Sequence, residues 1–107
     1  MPYTVLLLED AVKDIETIYR YYRRSGSEKA AKDMVASLRK VCSSLSCHPE
    51  RGHVPPELSR TSHFEYRQII QNKFRIIYQI AEPNVLVFGI IHGARNIGEV
   101  MKQRLLR

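Results

Sequence analysis

The central part of the chain changes from a helical to a strand-like hydrophobic period, and that change limits the folds open to it. From Ala11 to Leu45 the apolar residues recur at spacings of three and four, whereas from Glu65 to His92 they come in short β-branched and aromatic blocks. Ala11, Ile15, Ile18, Tyr19 and Tyr22 form one helical stripe, opposite Lys13, Asp14, Arg20 and Arg24. A second and more regular stripe is made by Ala31, Met34, Val35, Leu38, Val41, Cys42 and Leu45. EYRQII, KFRIIYQI and NVLVFGIIH then read as strands, separated by turn-forming residues around Gln71-Asn72-Lys73 and Glu82-Pro83-Asn84. Runs of helix followed by runs of strand predict an α+β fold, with the helices on one face of a small antiparallel sheet.

The ends of these segments carry their own signals. YTVLLL, Tyr3 to Leu8, is apolar enough for an N-terminal strand, and Glu9 and Asp10 supply the anionic first turn of a helix. That helix stops at Ser25-Gly26, and Ser25 with Glu28 reads as a capping box for the next. So short a connection predicts an antiparallel helical hairpin. Ile15, Ile18, Met34, Leu38, Val41 and Leu45 should then pack on Phe74, Ile76, Phe88 and Ile90. His48 to His63 holds Pro49, Gly52, Pro55 and Pro56 with little periodicity, as expected of a long loop. At the other end Asn96 with Glu99 forms a second capping-box pattern, and Ile97, Val100, Met101 and Leu105 mark a short C-terminal helix.

At 107 residues the chain has the size of one domain, residues 1–107, and 44% hydrophobic with 26% charged residues is ordinary for a folded protein. No apolar run approaches the ~20 residues needed to cross a bilayer, and the N-terminus lacks a basic stretch before its apolar run. A cytoplasmic chain with no membrane partner is expected. Cys42 and Cys47 are too few for a zinc site and do not face each other, while His48, His53 and His63 lack metal-ligand spacing. There is no phosphate-binding glycine loop, nucleophile elbow or pair of catalytic carboxylates. Neither a metal nor a cofactor is expected. Seventeen Lys and Arg against eleven Asp and Glu give a net charge of +6, which favours a polyanion or an acidic protein as partner.

Three arginines and one histidine are candidate site residues. Alternation on the third strand puts Arg75, Ile77 and Gln79 on the face away from Phe74, Ile76 and Tyr78. A three-residue turn at Gln71 to Lys73 would bring Arg67 to the same helix-free face as Arg75; a two-residue turn would set Arg67 opposite Tyr78. Arginines so placed can hold phosphates or carboxylates bidentately, although charges on an open sheet face are commonplace. At the end of VFGIIHGARN, Gly93 allows a bend that leaves His92 and Arg95 near the sheet edge. His92 is the side chain suited to proton transfer near neutrality. Cleavage of RNA through its 2′-hydroxyl needs a base as well as an acid and positive charge, and only Glu65 and Tyr78 offer themselves. A packing or capping role for His92 is the simpler reading.

HPERGHVPPEL, EYRQII, FRIIYQI and IIHGARN, in that order after a helical hairpin, resemble the RelE/ParE superfamily of bacterial toxins, also known as plasmid stabilisation proteins. The resemblance runs almost end to end. It rests on Pro49, Gly52, Glu57 and Leu58, the Tyr66-Arg67 pair, Phe74-Arg75 with Tyr78, and His92-Gly93 with Arg95. It implies the toxin of a type II toxin-antitoxin pair, neutralised by a small acidic antitoxin. ParE-like members poison DNA gyrase by binding, whereas RelE-like members cut mRNA in the ribosome. The resemblance puts Arg67, Arg75 and Arg95 at positions where the ribonucleases hold RNA, and here makes them candidates for binding target or antitoxin. RelE-like members carry a late tyrosine near the C-terminus; here the last is Tyr78, and the tail Ile97 to Arg107 is aliphatic and mainly basic. That departure favours the ParE-like reading, with a RelE-like ribonuclease using His92 as first alternative and a non-toxic nucleic-acid-binding module as second.

Overall fold

A computed structural model describes residues 2–61 and 65–106. The chain runs β1 (Thr4–Leu7), α1 (Glu9–Ser25), α2 (Glu28–Ser44), two 3-10 turns (Pro49–Arg51 and Pro56–Leu58), β2 (Tyr66–Gln71), β3 (Phe74–Ala81), β4 (Asn84–His92) and α3 (Ile97–Leu105). His63 lies outside the described residues.

α1 opens with Glu9 and Asp10 and closes with Arg23 and Arg24, the charge order that complements a helix dipole. Only Gly26 and Ser27 separate it from α2. The expected capping box at Ser25 does not form: Ser25 is the last residue of α1, and its hydroxyl donates to Tyr21 O at 2.8 Å. Ser27 caps α2 instead, accepting from the Ala30 N–H at 3.0 Å. A cap residue needs an extended backbone, and in so short a link Ser27, at φ −151°, provides it.

The strands lie in the order β1-β4-β3-β2. β2, β3 and β4 form the expected antiparallel meander, while β1 pairs parallel with β4 from Thr4↔Asn84 to Leu7↔Val87, so the sheet is mixed. On one face Ala11, Ile15, Ile18, Leu38, Cys42 and Leu45 pack against Phe74, Ile76, Tyr78, Val85, Val87 and Ile90, with Met34 and Val41 at the margin. The two stripes thus meet the sheet as their periodicity predicts, with one correction. Pairing passes from Tyr78↔Val87 to Ile77↔Gly89, a β-bulge that leaves Phe88 as the extra residue. Phe88 therefore turns to the second face, where its ring meets Tyr66 edge-on at 5.2 Å.

That second face is not free of helix. Ile97, Val100 and Met101 of α3, with Leu58 from the loop, cover Tyr66, Ile77 and Ile91. Asn96 caps α3 by accepting from the Glu99 N–H at 3.0 Å, as its sequence pattern predicts. A polar clamp joins α3 to α1. Asp14 accepts the Ile90 N–H at 2.8 Å, at a point on β4 beyond the last residue paired with β1. Its two oxygens also receive Arg104 bidentately, each at 2.8 Å. The sequence places Asp14 opposite the apolar stripe; it lies instead on the flank of that stripe, three residues after Ala11 and four before Ile18, with its side chain 16% exposed.

Candidate functional site

The β2–β3 turn sets the geometry of the site. It has two residues, Asn72 and Lys73, with Asn72 at φ 56°, and Gln71 pairs with Phe74. Of the two registers open to the sequence this is the one that sets Arg67 opposite Tyr78 and Ile70 opposite Arg75. Cross-strand partners share a face, so Arg67 points to the hairpin side and Arg75 to the α3 side.

Arg67 and Tyr78 together grip the first 3-10 turn. Nη1 of Arg67 donates to Glu50 O at 3.1 Å and to Gly52 O at 2.8 Å. The Tyr78 hydroxyl donates to Pro49 O at 2.6 Å and accepts the Gly52 N–H at 3.0 Å. Burial raises the pKa of that phenol, more than the Gly52 hydrogen bond lowers it. A Cβ on Gly52 would stand 2.6 Å from Gln68 O and would also strike the Tyr78 hydroxyl, so the close approach requires glycine.

On the opposite face Arg75 holds the exit of β4. Its Nε and Nη2 donate to Gly93 O at 3.2 and 2.9 Å, and its Nη1 reaches Glu57 Oε1 at 2.7 Å and Gln68 Oε1 at 3.3 Å. The second oxygen of Glu57 accepts the Ile97 N–H at 3.1 Å, in the first turn of α3. Burial pulls the Glu57 pKa upward, but the hydrogen bonds from Arg75 and Ile97 outweigh it and hold the carboxyl below its usual range. Loop, sheet and C-terminal helix are thereby tied through one ion pair with side chains 16% and 17% exposed.

Beyond Gly93 the chain bends. Gly93 N–H donates to Lys73 O at 2.8 Å, and Arg95 N–H donates to His92 O at 3.0 Å. Arg95 is exposed, and its side chain forms no hydrogen bond or ion pair among the described residues. The three arginines therefore do not share one basic surface: Arg67 and Arg75 are engaged internally on opposite faces, and Arg95 is presented to solvent.

His92 pairs with Phe74 and lies on the hairpin side, its ring edge-on to Phe74 at 6.0 Å. Nδ1 accepts the Ala94 N–H at 3.1 Å, which leaves Nε2 as the outward nitrogen. It borders a cleft of about 470 Å³ lined also by Thr17, Tyr21, Tyr22, Lys73 and Phe74. No carboxylate lines this cleft among the described residues. The two candidate bases are elsewhere: Tyr78 is fully buried with its hydroxyl engaged at the first 3-10 turn, and Glu65 precedes β2 at the far end of the sheet. Six strand positions at ~3.4 Å each put Glu65 roughly 20 Å from the level of His92. Among the described residues no group of three or more His, Cys, Asp or Glu could hold a metal ion, and no helix is long and apolar enough to cross a membrane.

Sequence reasoning singled out Arg67, Arg75, Arg95 and His92 but missed the aromatic wall that α1 gives to the His92 cleft. Thr17 and Tyr21 sit at i and i+4, one step round from the buried stripe, and that spacing was the available signal.

The family model described as ParE toxin of type II toxin-antitoxin system, parDE, matches residues 5–97. No curated protein gives a significant match. Among solved structures, the chromosomal ParDE TA system from P. aeruginosa superposes with a TM-score of 0.70 at 14% identity, over 84% of this chain and 95% of that one. The toxin-antitoxin complex RelBE2 from Mycobacterium tuberculosis gives 0.62 at 20% identity, over 86% and 99%. The YoeB dimer from Staphylococcus aureus gives 0.55 at 16% identity, over 86% and 98%. At such identities these three structures share the fold.

Proposed function

Because the chain belongs to the ParE toxin family of type II toxin-antitoxin systems, we propose that it acts by binding, as an inhibitor of DNA gyrase that a small acidic antitoxin neutralises. The observation that carries this reading is the isolation of His92. Acid-base cleavage needs two positioned groups, and among the described residues His92 has no base within its cleft and one ring nitrogen engaged by the Ala94 amide. Arg95 is the proposed contact with target or antitoxin, being the exposed member of the arginine set. Arg67 and Arg75 support it by fixing the loop and the β4 exit. The ParDE and RelBE2 neighbours are described as toxin-antitoxin assemblies, which supports an antitoxin as partner, and a net charge of +6 suits an acidic one.

The competing reading is ribosome-dependent mRNA cleavage, favoured by the fit of the fold to RelBE2 and YoeB as well as to ParDE. Purified protein separates the two. On the binding reading it inhibits supercoiling by gyrase and leaves ribosome-bound mRNA intact; Arg95→Ala weakens growth arrest, and His92→Gln, which keeps hydrogen bonding without proton transfer, retains most of it. Cleavage of ribosome-bound mRNA that His92→Gln abolishes, with gyrase unaffected, would overturn the proposal, since an acid-base group typically contributes ~100-fold or more to rate.

A further inference from the structure

We propose that the cleft between the C-terminal half of α1 and the end of β4 is a binding site for single-stranded nucleic acid, with a base held in the cleft and flanking phosphates on the rim. This site is separate from the Arg95 contact proposed above and does not rest on it. The sequence of α1 here is YRYYRRS, Tyr19 to Ser25, in which three tyrosines are interspersed with three arginines. Helical geometry sorts them. Tyr21 and Tyr22 line the cleft, while Arg20 and Arg24 lie one step round, each three residues beyond a lining position, Thr17 or Tyr21. The Nη2 of Arg20 lies 3.5 Å from Thr17 Oγ1, which puts that guanidinium at the rim. Lys73 and His92 close the opposite side.

The interior is built of ring faces and edges. Tyr21 is 62% exposed, and it stands edge-on to Tyr22 at 5.2 Å. Phe74 and His92 form a second edge-on pair across the cleft. Tyr21, Tyr22 and His92, with the nearly buried Phe74 behind them, surround about 470 Å³ and offer stacking surface for a flat base, and His92 Nε2 is free to bond its edge. The rim is cationic and uncompensated: none of the ion pairs among the described residues involves Arg20, Arg24 or Lys73. Rings flanked by unpaired cations are the arrangement by which single strands are held without reading sequence; an acidic peptide would need the cations but not four rings.

The test uses fluorescence anisotropy of labelled oligo-dT and oligo-rU of about twelve nucleotides, within the ~4–16 that single-strand sites cover. Salt-dependent binding is expected, tighter to whichever strand is the natural source, with hairpin duplex of equal length bound more weakly. Tyr21→Ala, a substitution at an exposed position, should weaken binding about tenfold or more at constant salt. Arg20→Ala with Arg24→Ala should lower the slope of log affinity against log salt by about 1.4, at ~0.7 for each phosphate no longer neutralised. Absence of binding to both strands at low salt overturns the proposal, as does unchanged affinity in Tyr21→Ala. A polyglutamate peptide that binds as tightly as the oligonucleotides and loses the same affinity in Tyr21→Ala also overturns it, giving the cleft to an acidic protein. Gyrase inhibition measured on the same Tyr21→Ala preparation keeps a failure here distinct from a failure of the gyrase reading.

Discussion

Replacing Asp14 by alanine should cost far more than an aspartate on a helix surface usually does. Its carboxylate serves two partners at once, the Ile90 N–H and the Arg104 guanidinium. The first is backbone at the uncovered edge of β4, and leaving such a donor without an acceptor costs about 1–3 kcal/mol. The second is an ion pair about one-sixth exposed on each side. A fully buried pair loses about 3–5 kcal/mol when one partner is removed, an exposed one about 0–1. Arg104 can turn to water and still feels Asp10, so about 1 kcal/mol is appropriate for its share. The expected total is roughly 2–4 kcal/mol. Arg104→Met keeps the aliphatic stem and leaves the Asp14–Ile90 bond intact, and should cost only about 1 kcal/mol. Urea unfolding of both single variants and the double variant gives the coupling, and amide exchange at Ile90 reports the strand edge directly. If Asp14→Ala costs no more than Arg104→Met, or if Ile90 exchange is unchanged, the clamp has been misread.

Glu57 gives a pH dependence of definite sign. Its folded pKa lies below the unfolded value of about 4.3, so its contribution is complete above that value and is lost as pH falls through the folded one. Unfolding midpoints measured between neutral and acid pH should therefore fall less steeply at the acid end in Glu57→Gln than in the parent. Leu38 is fully buried between hairpin and sheet, and Leu38→Ala should cost about 2–5 kcal/mol by chemical denaturation, whereas a loss of a few tenths would mean that α2 is turned differently. Burial pushes the Cys42 thiol up to about 11 while Cys47 is exposed, so a thiol reagent near neutral pH should label one cysteine in the folded protein and both in denaturant; rapid double labelling would contradict the packing of α2.

The elements were legible wherever local physics decides them. The apolar stripes of α1 and α2, the three meander strands and the Asn96 cap follow from spacing or from a single side chain reaching its own backbone. What escaped the sequence depends on the conformation of short connections or on partners distant along the chain. Ser27 in place of Ser25 is a displacement of two residues that only the conformation of the connection decides. The register of Arg67 hangs on one turn residue, Asn72, adopting a positive φ. The work of the arginines is hidden for a related reason: the acceptors of Arg67 are carbonyls 15 and 17 residues away, and Arg75 meets Glu57 18 residues away. The motif that carries the family resemblance includes Pro49, Gly52, Glu57, Arg67, Arg75 and Tyr78, which here act together as the brace of a proline-containing loop. A side chain's type and spacing disclose its chemistry, but not whether that chemistry is spent inside the fold.

The bulge at Phe88 decides the company that His92 keeps. Before it the odd-numbered residues Val85 and Val87 face the hairpin, and after it the even-numbered Ile90 does, with His92 following. Had the ladder run on with Phe88 paired to Ile77 instead of bulged out, the parity of every later side chain on β4 would be reversed. The imidazole would then lie on the α3 side of the sheet, the side to which Arg75 and Glu57 belong. One bulged residue thus keeps the imidazole on the hairpin side and the Arg75–Glu57 ion pair on the other.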